Sequence, residues 1–217
     1  MSVEQIRVWD LPVRLFHWGL VLGLIGAYGT GELGWLDMSW HFRFGYLVLG
    51  LVVFRVLWGL VGPRYARFSQ FVRGPGAIWR YLRGASPAAP GHNPLGGWAV
   101  LLLLLAVLAQ ALSGLFNGDD IEWFGPLYDR VSGATQSLAH RWHDIGYRLL
   151  LVLGAIHVAA VLGYWLIKGR NLIAPMLHGR QPGEVADASP PGSMLALLAS
   201  ALISAGLVAA VVYLGPG

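Results

Sequence analysis

Seven histidines are the residues of this chain best suited to chemistry, and two of them bracket the stretch "HDIGYRLLLVLGAIH", residues 143–157. Between them every residue is apolar, small or aromatic except Asp144 and Arg148. An imidazole in an apolar helix is costly and indicates a functional role, such as metal ligation or a hydrogen bond. Fourteen residues turn a helix ~40° short of four turns and advance it by ~21 Å. His143 and His157 therefore share a helix face but are too far apart to bind one metal ion.

The elements that must position these histidines are apolar segments of membrane-spanning length. Of the 217 residues, 56% are hydrophobic and only 12% are charged, and the mean hydropathy is +0.58. A soluble domain has about 25% charged residues. Each apolar segment can cross a ~30 Å hydrocarbon core as a helix. The five segments cover about residues 12–33, 40–61, 95–116, 138–167 and 194–214. The sequence therefore predicts an all-α integral membrane protein.

The loops between the segments predict the orientation. The second and third segments are joined by "GPRYARFSQFVRGPGAIWRYLRG", which has five arginines and no acid. Lys168, Arg170 and Arg180 follow the fourth segment. The other loops carry the acids Glu32, Asp37, Asp119, Asp120, Glu122 and Asp129. The positive-inside rule places the N-terminus and the arginine-rich loop in the cytoplasm and the C-terminus outside.

Composition excludes several classes of function. The net charge of +4 and the pI of about 9.7 reflect the basic loops and do not indicate nucleic acid binding. The chain has no cysteine, which excludes disulfides, iron–sulfur clusters and thioether-linked haem on it. Its first residues, "MSVEQIRVWDLPVRLFHW", lack a basic region leading to a cleavage site, so we expect no signal peptide.

Topology groups four histidines into two pairs. His41 and His143 fall at the predicted outer side, and His17 and His157 toward the cytoplasm. Two imidazoles facing each other across a helix bundle are typical of haem b with two histidine ligands. The alternative for each histidine is a hydrogen bond between helices. His140 lies ~100° away from the face of His157 and is not expected to be a ligand.

Glycines and the remaining histidines complete the pattern. Glycines near the paired histidines predict space for a flat macrocycle, although glycine also serves plain helix packing. They are Gly19, Gly23, Gly45, Gly146 and Gly154. His92 and His178 fall in predicted loops, where a solvated side chain is the simplest expectation.

Residues 6–182 resemble the prokaryotic cytochrome b561 family, which includes b-type subunits of nickel–iron hydrogenases, thiosulfate reductases and formate dehydrogenases. The matching stretches are "VWDLPVRLFHW", "WHFRFGYLVLGLVVFRVLWGLVGPRYARF", "GHNPLGG", "HDIGYRLLLVLGAIH" and "NLIAPMLHG". The resemblance implies a four-helix transmembrane bundle holding two haems b, with His17 paired with His157 and His41 with His143. It also implies that His92, in "GHNPLGG", lies near a haem propionate or a quinone.

The domain division follows from the same resemblance. Residues 1–182 are expected to form the dihaem domain, 183–192 a linker, and 193–217 an additional transmembrane helix. The fifth segment has no histidine and no charge, so we expect a packing helix or a partner contact.

Arginines near the paired histidines are candidates for haem propionate binding. They are Arg14, Arg43, Arg141 and Arg148. The alternative is that each extends to the membrane interface.

The function expected is electron transfer in the bacterial inner membrane, between ubiquinone or menaquinone and a periplasmic partner such as a cytochrome c or an oxidoreductase subunit. The alternative is a stand-alone superoxide:quinone oxidoreductase, an activity that the resemblance implies because some small members of the family perform it. That enzyme needs a cationic outer surface to attract an anion, whereas the outer loops here are acidic.

A histidine-based transporter is the third possibility, and the absence of mid-span acids counts against it.

Overall fold

A computed structural model describes residues 4–85, 90–119 and 121–215. Five of its helices are long and apolar enough to cross a membrane, which confirms the predicted all-α membrane class. The helices are α1 (Leu11–Gly31), α2 (Met38–Val61), α3 (Phe68–Phe71), α4 (Pro75–Leu82), α5 (Pro94–Leu115), α6 (Gly133–Lys168), α7 (Ile173–His178) and α8 (Met194–Tyr213). Two short strands, β1 (Glu4–Arg7) and β2 (Arg180–Gly183), and 3-10 turns at Tyr128–Arg130 and Val185–Asp187 complete the described elements.

The five candidate spans are α1, α2, α5, α6 and α8. Their ends agree with the predicted segments except at α6, which begins at Gly133 rather than near residue 138. Ser132 explains the early start, because its carbonyl oxygen accepts a hydrogen bond from the backbone N–H of Gln136 at 3.0 Å. The first turn, "GATQS", is polar, so hydropathy marks the membrane span but not the beginning of the helix.

A small antiparallel sheet was not predicted from the sequence. β1 pairs with β2 so that Glu4 faces Gly183 and Arg7 faces Arg180. The carbonyl oxygen of Gly179 accepts the backbone N–H groups of Val8 and Trp9 at 2.9 and 3.1 Å. Gly179 has φ of +84°, and a Cβ there would lie 2.5 Å from the Trp9 carbonyl oxygen. The sheet therefore holds the segment before α1 against the segment after α7, and it requires glycine at this position.

The chain forms two compact units, and each of the five long helices contributes to both. The first unit contains Met1–Phe16, Arg55–Leu102 and Gly154–Ser200, and the second contains His17–Phe54, Leu103–Leu153 and Ala201–Gly217. In the second unit Val48 and Val52 of α2 pack against Val107 of α5 in a buried apolar core. No residue in the most hydrophobic window of α6 is buried within the described chain. That exposure of apolar side chains is suited to contact with lipid.

The arginine-rich loop contains two short helices, α3 and α4, that were not predicted. α4 is amphipathic: Trp79 and Leu82 are exposed apolar residues, and the Arg83 guanidinium lies 4.4 Å from the Trp79 ring centre. An amphipathic helix with aromatic and basic residues suits the membrane interface. The described part of the loop therefore contains an amphipathic helix of a kind suited to the interface.

The last helix, α8, packs against α2 within the second unit. In the second unit a Cβ on Gly50 would lie 3.3 Å from a methyl carbon of Val208. The Arg130 guanidinium donates to the carbonyl oxygen of Leu214 at 2.9 Å. These contacts show a packing role for α8, and the division at residues 182 and 192 stays a prediction.

Asp10 organises the start of α1 in the first unit. One carboxylate oxygen accepts the backbone N–H of Val13 at 3.0 Å, which satisfies a free donor at the helix N-terminus. The other accepts the indole N–H of Trp58 at 2.8 Å, and Trp58 is almost fully buried. Burial raises the pKa of Asp10, and these two hydrogen bonds oppose the shift. One side chain thus caps α1 and satisfies a buried donor of α2.

Asp10→Ala should destabilise the protein by about 2–4 kcal/mol, because it removes a helix cap and the hydrogen bond to a buried indole N–H. The free energy of unfolding in detergent measures this. Asp187→Ala is the matched control, since Asp187 forms an exposed ion pair with Arg64 at 3.7 Å and its loss should cost at most about 1 kcal/mol. Equal destabilisation by the two variants would contradict the role of Asp10.

Candidate functional site

The centre of the candidate site in the second unit is a pair of imidazoles from α2 and α6. The rings of His41 and His143 have centres 6.0 Å apart and planes 79° apart. Two imidazoles that ligate one metal ion from opposite sides at ~2 Å have ring centres ~6 Å apart. The separation of the two rings therefore fits a shared metal centre such as haem iron.

Each imidazole is held by a hydrogen bond from its Nδ1 atom to a third or fourth helix. His41 Nδ1 lies 2.9 Å from the carbonyl oxygen of Ala27 in α1. His143 Nδ1 lies 3.2 Å from the carbonyl oxygen of Gln110 in α5 and 3.1 Å from the hydroxyl oxygen of Ser113. Four helices of the second unit therefore build the site, two with imidazoles and two with oxygen acceptors.

These oxygen atoms fix the tautomer of both rings. A carbonyl oxygen only accepts, so Nδ1 of His41 carries the proton and donates it to Ala27. The Ser113 hydroxyl donates to the Gln110 carbonyl oxygen at 2.9 Å, which leaves its oxygen free to accept from His143. With Nδ1 protonated in each ring, Nε2 carries the lone pair that can bind a metal.

Two glycines adjoin the imidazoles and were missed in the sequence. A Cβ on Gly31 would lie 2.7 Å from His41 Nδ1, and a Cβ on Gly114 would lie 3.0 Å from His143 Cε1. At Gly31 the ring would have to move, and at Gly114 it would have to shift by a few tenths of an ångström. Glycine at these two positions therefore lets each imidazole keep its hydrogen-bonded place.

Two of the residues around the imidazoles could have been found from the sequence. Gln110 and Ser113 are the polar side chains of α5, "PLGGWAVLLLLLAVLAQALSGL", an otherwise apolar run. Polar residues at this depth are costly and mark functional positions. Nothing in the sequence distinguishes Ala27, because its backbone carbonyl makes the contact.

The glycines predicted to leave room for a macrocycle divide into two groups. Among described atoms, none lies within 4 Å of a Cβ built on Gly45 or Gly154, so these positions retain that interpretation. A Cβ on Gly146 would lie 2.0 Å from Gln110 Oε1. Gly19 and Gly23 face Leu51 and Val48, at 3.3 and 2.9 Å from their added Cβ atoms. These three serve helix packing, the alternative considered from the sequence.

His17 and His157, the other predicted pair, belong to different units. His17 is half-buried in the second unit, where its ring meets Trp18 edge to face at 4.9 Å between centres. His157 is an exposed residue of α6 in the first unit. Their pairing rests on sequence spacing and stays a prediction.

The expectation that His92 is a solvated loop residue is wrong. Its ring packs between Trp9 and Phe71, with ring centres 4.6 and 4.5 Å away. Burial, together with the positive charge of Arg55 and the proximity of His157, lowers the pKa of His92 to about 3. The imidazole is therefore neutral and enclosed, because aromatic residues from two neighbouring segments cover it. His178 is exposed, as expected.

His140 and the four candidate arginines have protein partners of their own. His140 Nδ1 lies 3.0 Å from the Asn117 side-chain oxygen. The Arg148 guanidinium pairs with Asp144 at 2.8 Å. Arg43 stacks over the Trp40 ring at 4.6 Å.

Arg14 and Arg141 both bond to backbone oxygens. Arg14 donates to the carbonyl oxygen of Leu177, and its buried Nε has no partner among the described residues. Arg141 donates to the carbonyl oxygen of Ser137 at 3.4 Å. Of the four arginines, Arg14 thus retains a buried donor that is free for another group.

These features define a helical membrane protein with a half-buried imidazole pair whose ring separation fits one metal centre. The sequence profile of the prokaryotic cytochrome b561 family matches residues 8–179. The chain belongs to this family, and as a b-type cytochrome it binds haem b and transfers electrons in the membrane.

Similar proteins are named as b-type cytochrome subunits of hydrogenases. The chain is 27% identical over 215 residues to a protein of Azotobacter chroococcum mcd 1 named probable Ni/Fe-hydrogenase B-type cytochrome subunit, covering 80% of this chain and 87% of the relative. It is 22% identical to the probable Ni/Fe-hydrogenase 1 B-type cytochrome subunit of Escherichia coli (strain K12), covering 82% and 91%. No solved structure gives a significant match.

Gly31→Ala and Gly114→Ala should each weaken haem b binding by about 10–100-fold, because the new methyl group displaces an imidazole from its hydrogen-bonded position. Haem titration of apoprotein, followed by absorbance, measures the affinity. Gly206→Ala in α8 is the matched control, since no described atom lies within 4 Å of its added Cβ. Wild-type affinity in both variants would show that the rings tolerate displacement.

Proposed function

We propose that this chain is a dihaem cytochrome b that carries electrons across the bacterial inner membrane between quinone and a periplasmic redox partner. The observation that carries the proposal is the His41–His143 pair, with its 6.0 Å ring separation and both Nδ1 atoms bonded to oxygen. Family membership supplies the haem b, and the geometry of the pair supports two histidine ligands to one iron.

His41 and His143 are the proposed ligands of one haem, and His17 and His157 of the other. The second assignment follows from the fourteen-residue spacing on α6 and from the positions of the histidines in the sequence. When bound, haem iron alternates between ferrous and ferric states and so supplies one-electron transfer. The oxygen acceptors beside His41 and His143 hold these two imidazoles as Nδ1–H tautomers, which raises the basicity of the ligating nitrogen.

Arginines are the proposed partners of the haem propionates. Arg14 is the best supported, because its Nε is buried without a described partner. Arg43 and Arg148 are weaker candidates, since one stacks on Trp40 and the other pairs with Asp144. A propionate bond in these two requires the guanidinium to exchange partners.

The electron-transfer partner is proposed to be a redox protein, a cytochrome c or a hydrogenase-type oxidoreductase. The names of the relatives support a hydrogenase-type enzyme. The acidic loop of residues 117–129 offers a docking surface for basic groups. In that loop Asp119 accepts three backbone N–H bonds from residues 121–123, which lower its pKa and keep it charged. Asp120 lies outside the described residues. This acidity disfavours superoxide, an anion, as substrate.

Quinone is proposed to react in the first unit, beside His92 and Asn93. The Asn93 amide donates to the Tyr164 hydroxyl at 2.9 Å, and the hydroxyls of Tyr164 and Tyr81 are hydrogen-bonded to each other. Burial raises the pKa of Tyr81 to about 12, so it stays protonated. Leu95 and Trp98, exposed at the start of α5, provide an apolar boundary. Arg64, another polar candidate, is held by Asp187.

Histidine substitution tests the ligand pairing. Wild-type protein should contain two haems b per chain by pyridine haemochrome assay. His41→Ala and His143→Ala should remove the same haem, and His17→Ala and His157→Ala the other, because each haem needs both ligands. His140→Ala should retain both haems. One haem per wild-type chain, or loss of different haems from His41→Ala and His143→Ala, would contradict the pairing.

Stopped-flow reduction by a quinol analogue tests the quinone site. His92→Ala should slow haem reduction about tenfold or more, because the headgroup loses a positioned polar group. His178→Ala is the matched control, an exposed histidine of the same unit. His41→Ala removes the haem of His41 and His143. If this variant also lost quinol reduction of the remaining haem, the quinone site would have to lie at the haem that was removed.

A further inference from the structure

Arg55 is the most deeply buried charged residue in the described part of the chain. It lies inside α2, one of the membrane-spanning helices, and is only 3% exposed. A guanidinium is always charged and carries five N–H donors. Charged groups inside a membrane span are rare and mark functional sites, because their burial without a partner is very unfavourable.

No described residue neutralises Arg55 directly. The ion pairs in residues 4–85, 90–119 and 121–215 are Arg64–Asp187 and Arg148–Asp144. The Nη1 atom of Arg55 is buried and has no hydrogen-bond partner among the described residues. The guanidinium instead lies over the Phe68 ring at 4.8 Å and near the Phe71 ring at 6.0 Å. Aromatic faces support the cation but accept no strong N–H bond.

Asp10 is the nearest acid that influences Arg55, and its oxygens are already used. One binds the Val13 backbone N–H, and the other binds the Trp58 indole. Asp10 acts on Arg55 only through longer-range attraction. The buried Nη1 therefore still lacks an anionic oxygen at hydrogen-bonding distance.

The position of Arg55 indicates which anion that is. Arg55 follows His41 on α2 by fourteen residues, just as His157 follows His143 on α6. Each pair therefore shares one face of its own helix. Within the first unit, the Arg55 guanidinium and the His92 ring both adjoin the Phe71 ring, at 6.0 and 4.5 Å from its centre, and His157 acts electrostatically on His92. A carboxylate belonging to a group bound at His157 is therefore suitably placed for Arg55.

We infer that Arg55 binds a propionate carboxylate of the haem proposed at His157, and so raises the reduction potential of that haem. The inference rests on the proposed dihaem function. A fixed positive charge stabilises the ferrous over the ferric state, since reduction adds an electron. Arg55 is a positioning residue: it holds the propionate and sets the local charge, and it does not ligate iron.

The first test is a redox titration of purified protein followed by haem absorbance. Arg55→Gln should shift one of the two midpoint potentials to a lower value and leave the other unchanged. Arg55→Lys should bring the midpoint potential back close to the wild-type value, because it keeps the positive charge. Arg83→Gln is the matched control, a cation of the same unit that stacks on Trp79 in an exposed position. The same shift in an Arg55→Gln/His41→Ala double variant assigns it to the haem proposed at His157.

The second test identifies the anion. Redox-induced infrared difference spectra are recorded with haem that carries carbon-13 in its propionate carboxylates. A propionate band should move between wild type and Arg55→Gln, and also in Arg55→Lys, which loses the forked geometry. The Lys variant keeps the test decisive if the Gln variant does not assemble.

Opposite results separate this inference from the dihaem proposal. Fewer than two haems in wild-type protein would refute the proposed function. Two haems with unchanged propionate bands in both Arg55 variants would refute only the role of Arg55. An unlabelled carboxylate band that moves in the Arg55 variants and disappears in Asp10→Asn would show that Asp10 is the anion, and would also refute it.

Discussion

The structure depends on one constraint: a polar nitrogen in an apolar helix bundle must have an acceptor. An unpaired buried donor costs about 1–3 kcal/mol, and more when it is charged. His41 meets the constraint with a backbone carbonyl of α1, and His143 with a carbonyl and a hydroxyl of α5. Since each imidazole has two nitrogens and the protein binds Nδ1, the other nitrogen of each is left with its lone pair. The same requirement that makes the fold stable thus prepares the two rings as ligands.

Close packing is the second consequence of this arrangement. Each imidazole has a backbone carbonyl among its acceptors, so the helices that provide these carbonyls must approach closely. Gly31 and Gly114 allow that approach at the two imidazoles, and Gly146 allows Gln110 to reach the backbone carbonyl of His143 at 3.0 Å. The glycines of this membrane chain therefore have different uses, which spacing alone does not separate. α2, with Leu49, Val52 and Trp58 almost fully buried, is the helix around which much of this packing takes place.

The first unit satisfies the same constraint less completely. Asp10 meets two donors at once, whereas Arg14 and Arg55 keep buried nitrogens without a described partner. His92 lies between two aromatic rings, and burial keeps it neutral. A unit that holds unpaired cations and an enclosed neutral imidazole is suited to an anionic or redox-active group, which agrees with a b-type cytochrome.

The sequence by itself determined the membrane class, the five spans and the family, because hydropathy over some twenty residues and the histidine-containing motifs are local properties of the chain. It also brought His41 and His143 to the same side of the membrane by counting spans. Only the tertiary structure decided which atoms hold those rings: the Ala27 carbonyl, Ser113, Gly31 and Gly114 have their roles through contacts between helices. The β1–β2 sheet, the enclosure of His92 and the burial of Arg55 depend on residues far apart in the chain. No local pattern encodes such contacts, since they arise from the way the helices and loops pack.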